Sequence, residues 1–438
     1  MNRLVGVVLS VAYLACAIAS SAKADEAASR AVAAVQAAFN HIRTSYVDAI
    51  DEAAVLGSSL KAMQQVVGTD KRSSRNDGRS ARLENSEVLI TDIARLLRNA
   101  SGAADYRKLT RLAITGMLEA LDSQSQYIDA EEFRRHQAAA QMGSAGLSLT
   151  IRNGATMVVS PSEGGPAETA GIRAGDIIAA VNGAQIAGLR LEEVVAMMRG
   201  AVDSSVALTI LRKGTRTIVT VKRANVFVRH VYSAVHDDVG YIALTGFHEQ
   251  TDRHLRADIA KMEAASEGRI KGYVLDLRDN SGGLLDGAIT ATRLFLSNGV
   301  IATARGRESI QHFEAQADAA VAGRPMIVLV NEGTAAGAEI IASALQAHRR
   351  ALIAGRRSAG AGTVQTVIPL EEGNGVLRLT TSRLYAASGE AIEGIGVMPD
   401  VVLDRVDSPI RSGRIRPDQV QQDAQIRFAV EYLKRDGR

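Results

Sequence analysis

The sequence predicts an α+β protein of several domains, from three changes of texture along its 438 residues. Residues 25–138 are rich in Ala, Leu, Glu and Arg, hold no Pro, and repeat apolar side chains at helical spacing. Residues 143–224 break into short alternating strands separated by Gly turns. From 225 to 405 strands alternate with helical runs, the signature of an α/β layer, and 406–438 reads as a helical tail. An apolar content of 46% over this length supports two or three separate cores. Aromatic residues make up only 4% and Trp is absent, so those cores must be built from Ala, Leu, Val and Ile.

Residues 1–24 have a secretory layout. Arg3 forms a short basic start, Leu4 to Ala19 is apolar, and Ala22-Lys23-Ala24 is a small-x-small cleavage site. Cleavage after Ala24 predicts a periplasmic or secreted chain, with no later segment reaching the ~18 apolar residues of a membrane span. The only cysteine, Cys16, offers a lipoprotein alternative because Leu14-Ala15 precedes it, but Tyr13 stands where a lipobox wants Leu. Removing Arg3 and Lys23 takes two charges from the formal +3 and leaves +1, which gives no electrostatic case for nucleic acid.

In the helical region, Leu109, Leu112, Ile114, Met117, Leu118 and Leu121 mark one apolar face. The polar run between about 68 and 86 reads as a loop or disordered insertion. Asp122 is placed to end one helix and Asp129 to cap the next. In the third region Val239 to Leu244 and Tyr273 to Arg278 read as strands, and Thr251 to Ala265 as an amphipathic helix. The apolar run Met326 to Val330 reads as a buried strand entering a small-residue elbow, Asn331-Glu332-Gly333-Thr334-Ala335-Ala336-Gly337-Ala338-Glu339-Ile340.

That elbow resembles the catalytic segment Asn-x-Gly-Ser/Thr-Ala-Ser-Ala-x-Glu-Ile of the carboxyl-terminal processing (tail-specific) proteases. Gly355 to Gln365 resembles their Gly-x-x-Ser-Phe-Gly-Lys-Gly-x-Val-Gln. Leu275-Asp276-Leu277-Arg278-Asp279-Asn280-Ser281-Gly282-Gly283-Leu284-Leu285 is similar to their Leu-Asp-Leu-Arg-x-Asn-x-Gly-Gly-Leu-Leu. Further matches run from Gly116 to Asp129, from Leu377 to Tyr385 and from Ile392 to Asp400. The resemblance implies a crotonase/Clp-like α/β protease core over 225–405. It places the nucleophilic serine at Ala336 and the general-base lysine at Ala361, with Gln365 as the support of that lysine. It places the oxyanion hole at Gly282 or Gly283 together with Gly337.

Residues 143–224 resemble a circularly permuted PDZ domain, on Gly165-Pro166-Ala167-Glu168-Thr169-Ala170-Gly171-Ile172-Arg173-Ala174-Gly175-Asp176 followed by Val181-Asn182-Gly183. Such a groove takes an extended peptide as an added strand and holds its terminal carboxylate on backbone amides. By resemblance the carboxylate loop is Ser144-Ala145-Gly146-Leu147, with Ser144 in place of the usual first glycine. The groove walls then carry Leu149, Leu191 and Val195, although these, with Leu147, Val194 and Met198, also suit a plain core.

Serine–lysine chemistry needs a hydroxyl and a neutral amine within hydrogen-bond reach, and alanine supplies neither. The sequence therefore predicts a binding protein on a protease scaffold, taking the C-terminal tails of envelope proteins, with no cofactor and no metal. Two other readings stand beside it. One is a working serine-type peptidase whose dyad has moved to Thr334 or Ser358. The other is a structural partner of an active homologue, with the N-terminal helices as a homodimer arm, as the resemblance implies.

Overall fold

A computed structural model describes residues 26–67, 86–99, 103–404 and 422–436, apart from the single positions 153, 163, 227, 228, 318, 322, 371 and 372. The secretory segment 1–24, Cys16, the 68–85 insertion and the first part of the 406–438 tail lie outside the described residues. Among the described residues no helix is long and apolar enough to cross a membrane.

The chain forms two compact units. The first comprises the described residues up to 136, with those of 305–309 and 363–382. Its helices 26–45, Glu52–Val67, Ser86–Arg98 and Ala103–Glu119 close around Ile42, Leu56, Met63, Leu89, Ile93, Leu97, Ile114 and Met117, all fully buried. Two of these helices approach closely at Gly116, where a Cβ would lie 3.0 Å from the Ser58 carbonyl oxygen. Asp122 Oδ1 accepts the Gln124 and Ser125 amides and Asp129 Oδ1 accepts those of Glu131 and Glu132, which is the turn and capping chemistry expected of both.

The region read as helical also holds a strand, Gln126–Ile128, paired antiparallel with Val376–Arg378. Residues 305–309 and 363–382 belong to this helical unit, not to the α/β core in which the sequence reading placed them. The reason is packing: Leu370, Leu377 and Leu379 complete the helical core, and Ser125 Oγ accepts from the Thr380 amide.

The second unit contains the two remaining folds. One is a five-stranded antiparallel sheet in the order Leu147–Arg152, Ala155–Pro161, Ile177–Val181, Ser205–Arg212, Thr215–Lys222, with a two-residue strand, Ala184–Gln185, on Ile177–Val181. It wraps a core of Val158, Ile178, Val181, Val194, Val206, Leu208, Ile210 and Val221. Asp176 is 2% exposed and is gripped by both arms of the Arg212 guanidinium at 2.7 Å and by the Arg173 amide at 2.8 Å.

The other fold is a six-stranded sheet in the order Val401–Val402, Leu352–Gly355, Met326–Val330, Gly272–Asp276, Val239–Leu244, Val231–His236. All neighbours are parallel except the last pair. Its central strands are buried on both faces, which explains their unbroken apolar runs. The C-terminal helix Ala424–Asp436 lays Ile426, Ala429, Val430 and Leu433 against Tyr241, Val274, Ile327 and Leu329. Fully buried Arg278 fixes that junction, bonding both Asp276 oxygens, Asp423 Oδ2 at 3.0 Å and Gln425 Oε1 at 3.0 Å.

Removing one partner of such a buried pair strands the other charge. Asp423→Ala is expected to lower stability by about 3 kcal/mol in urea unfolding, while Lys222→Ala, whose Asp203 contact is exposed, shifts it by under about 0.5 kcal/mol. For Asp176, burial raises the carboxyl but the Arg212 and Arg173 bonds outweigh it, so its pKa falls below the ordinary 3.8. A depressed carboxylate stabilises the fold above its unfolded pKa and loses that contribution as pH drops through its folded value. Comparing native protein with Asp176→Asn, the stability gap should be constant from pH 7 to about 5 and shrink below pH 4.

Candidate functional site

Three adjacent parallel strands deliver three loops to one edge of the core sheet. Gly272–Asp276 leads into Gly282-Gly283, Met326–Val330 into the elbow, and Leu352–Gly355 into residues 356–362. Ligand sites of open parallel sheets form at this carboxyl edge, where the chain leaves the hydrogen-bonded ladder. Here the loops are tied across one another. Asn331 Oδ1 accepts the Asp279 amide at 2.9 Å, the Ala335 amide donates to Asn280 O at 2.8 Å, and the Ala359 amide donates to Thr334 O at 2.9 Å.

Ala336 stands at the apex, immediately before the helix Gly337–Ala347, with φ 49° and ψ −115°. A non-glycine residue adopts that conformation only at a cost of about 1–3 kcal/mol. It is the strained strand-to-helix geometry with which a nucleophile elbow exposes its side chain. Ala336 keeps the strain and presents a methyl group.

Glu339, one turn into the helix, is fully buried. Its Oε2 accepts the Ala336 amide at 2.9 Å and the Ala361 amide at 2.8 Å. Its Oε1 accepts the Gly360 amide at 2.7 Å and the Ser358 hydroxyl. One carboxylate oxygen thus holds the backbones of Ala336 and Ala361 side by side, and both residues are part-exposed. The two positions that the sequence motifs single out are brought together, and neither carries a functional group.

The glycine turn lies against the elbow. A Cβ on Gly282 would sit 2.8 Å from the Ala336 Cβ and 3.2 Å from the Gly337 nitrogen. A Cβ on Gly283, at φ 138°, would fall 2.2 Å from the Phe247 carbonyl oxygen. The Gly282 amide donates to Asn280 Oδ1 at 2.9 Å, which removes Gly282 as an oxyanion donor. Gly283 and Gly337 remain; among the described residues neither amide donates to a protein acceptor. Gln365 lies in the first unit, where its amide nitrogen donates to Thr363 Oγ1 at 2.7 Å.

The alternative hydroxyls are both committed. Thr334 is fully buried, donates to Leu277 O at 2.8 Å and accepts the Asn331 amide at 3.0 Å. Ser358 is buried, donates to Glu339 and accepts the Val397 amide at 2.7 Å. Arg356 pairs with Glu332, and Arg357 bonds the carbonyls of Ile395 and Gly394.

Residues 238–403 match peptidase family S41, and residues 157–212 match the PDZ domain. The carboxy-terminal-processing protease of Bartonella bacilliformis is 44% identical over 308 residues, spanning 69% of this chain and 71% of that protein. The chain belongs to the carboxy-terminal processing protease family. The Bacillus subtilis carboxy-terminal processing protease CtpA is 36% identical over 69% of this chain and 66% of its own length. The solved photosystem II D1 C-terminal processing protease aligns with a TM-score of 0.51 at 26% identity, covering 85% of this chain and 93% of that one.

In the PDZ domain, Leu147–Arg152 is an edge strand among the described residues, paired there with Ala155–Pro161 alone, and the helix Leu191–Met198 packs beside it. Val194 and Met198 are core, whereas Leu147, Leu149, Leu191 and Val195 are part-exposed. Ala145 and Gly146 are buried, and Ser144 is anchored by reciprocal backbone bonds with Ala224.

Sequence reasoning missed Glu339, Asn280 and Asn331 as organisers of the site. The available signal was a carboxylate inside the apolar run Ala338-Glu339-Ile340-Ile341, since a buried charge implies a dedicated set of donors. Glu339→Ala should cost about 3 kcal/mol or more, by leaving three amides and a hydroxyl without an acceptor. Between the two glycines, Gly283→Ala should destabilise more than Gly282→Ala, because its Cβ would fall 2.2 Å from backbone, whereas that of Gly282 meets a methyl group at 2.8 Å and backbone only from 3.2 Å. Thermal melts of the three variants check both expectations.

Proposed function

We propose that this chain is a non-cleaving member of its family that holds the C-terminal tails of other proteins. The observation that carries the reading is that Ala336 and Ala361, whose amides share one oxygen of the Glu339 carboxylate, each end in a methyl group. A serine–lysine mechanism fails there at its first step, because there is no hydroxyl to attack and no amine to take its proton. Displacing the dyad to Thr334 or Ser358 would break bonds that both hydroxyls already make inside the fold.

Recognition has what it needs. The open edge of Leu147–Arg152 offers unpaired backbone groups to an incoming strand, and part-exposed Leu147, Leu149, Leu191 and Val195 offer apolar contact. Near the elbow, Leu284 is 49% exposed beside Gly283, an apolar surface for chain that enters but is not cut. The secretory layout of residues 1–24 supports a periplasmic or secreted setting, where the clients would be envelope proteins. Adaptor, sequestering competitor and partner of an active homologue are the roles open to such a molecule.

Fluorescence anisotropy with peptides ending in apolar residues tests the reading, with mass spectrometry of the same samples after overnight incubation. Saturable binding with Kd in the micromolar range and intact peptide is expected. Peptide cleavage that Ser358→Ala or Thr334→Val abolishes would contradict it, as would the absence of binding to any peptide.

A further inference from the structure

Ser144 occupies an amide that a PDZ loop offers to a carboxylate. Its Oγ accepts the Gly146 amide at 3.0 Å, while its own backbone nitrogen and oxygen are paired with Ala224 at 2.9 and 3.1 Å. The residue is therefore pinned at both backbone groups, and its side chain turns back over the loop it belongs to. Serine hydroxyls make such local bonds to the amide two residues on, in place of an external acceptor.

The surroundings reinforce this closure. Gly146 is buried at φ 71°, and a Cβ there would lie 3.2 Å from Val226 and 3.3 Å from Pro166. Its carbonyl accepts the Ser162 amide, and the Ala145 carbonyl accepts the Ala167 amide, so the loop is held in shape from behind. The nearby Arg223 guanidinium does not take over the anion-binding role from the Gly143 side. Arg223, whose side chain packs against Gly143 and Gly200, is committed to Met198 O at 2.8 Å, Ser204 Oγ at 2.9 Å and Ser205 O at 2.8 Å. A terminal carboxylate must displace the hydroxyl before it can take the Gly146 amide, whereas the edge strand Leu147–Arg152 needs no rearrangement to pair with extended chain.

We propose that Ser144 is a specificity determinant that weakens the reading of the terminal carboxylate, so that the groove selects extended apolar segments with little regard to whether the chain ends there. The inference rests on the peptide-binding reading above and narrows its ligand class. Ser144→Ala removes the hydroxyl and keeps the Cβ; Ser144→Gly removes both.

The test compares one apolar peptide sequence, as free acid and as C-terminal amide, on the native full chain and on both variants. The native protein should bind acid and amide within about threefold of each other. Both variants should favour the acid by about tenfold or more, through tighter acid binding with amide binding unchanged. A native preference for the acid of tenfold or more, or variants with an unchanged ratio, overturns the proposal. A second measurement needs no peptide. Hydrogen-exchange mass spectrometry resolved to the Gly146 amide should show protection falling at least about tenfold on Ser144→Ala. Equal exchange in both proteins overturns the proposal even where no peptide binds, the outcome that would separately remove the peptide-binding reading.

Discussion

The buried carboxylate of Glu339 is the interaction on which the candidate site depends. A charge in a sheet-and-helix core is tolerated only when it is surrounded by donors, and here three backbone amides and one hydroxyl supply them. Because two of those amides belong to Ala336 and Ala361, the bonds that satisfy the charge also fix the spacing of the two positions. The strained elbow persists for the same reason, since the Ala336 amide is held at the entry to the helix. The frame around these two positions is thus held by interactions that involve the side chain of neither.

Around that carboxylate the α/β core supplies direction. Parallel strands end on one edge, so the loops after Asp276, Val330 and Gly355 are neighbours regardless of their distance in sequence. Asn280 and Asn331 lock two of those loops, and the Gly282-Gly283 turn reaches the elbow only because neither residue has a Cβ. The departures from the family pattern extend beyond the two key positions, to Gly337 and Ala359, which stand where the pattern has Ala and Phe.

Much of this was legible in the chain. The strands Val239–Leu244, Gly272–Asp276 and Met326–Val330 announce themselves as unbroken apolar runs because both of their faces are covered. The Asp129 cap and the helix face of Leu109 to Leu118 follow from local rules. What was hidden is non-local. Gln126–Ile128 becomes a strand only by pairing with residues some 250 positions away, and 363–382 joins the helical unit through Leu370, Leu377 and Leu379. Neither event leaves a local pattern. Gly282 was read with Gly283 as an equal candidate, and only the bond from its amide to Asn280 separates them. Glu339 stood in plain view inside the motif, but its four donors come from two segments of the chain.

The most direct measurement is proteolysis by the Ala336→Ser, Ala361→Lys double variant, against the native chain and Ala336→Ser alone. On this account only the double variant cuts an unfolded, apolar-tailed substrate. A gain of about 4 kcal/mol in transition-state stabilisation, roughly a thousandfold in rate, would be plainly visible. Cleavage by the native chain at a comparable rate would contradict the claim that its dyad positions are chemically empty. A folded, peptide-binding double variant that cuts nothing would contradict the claim that the frame around them is intact.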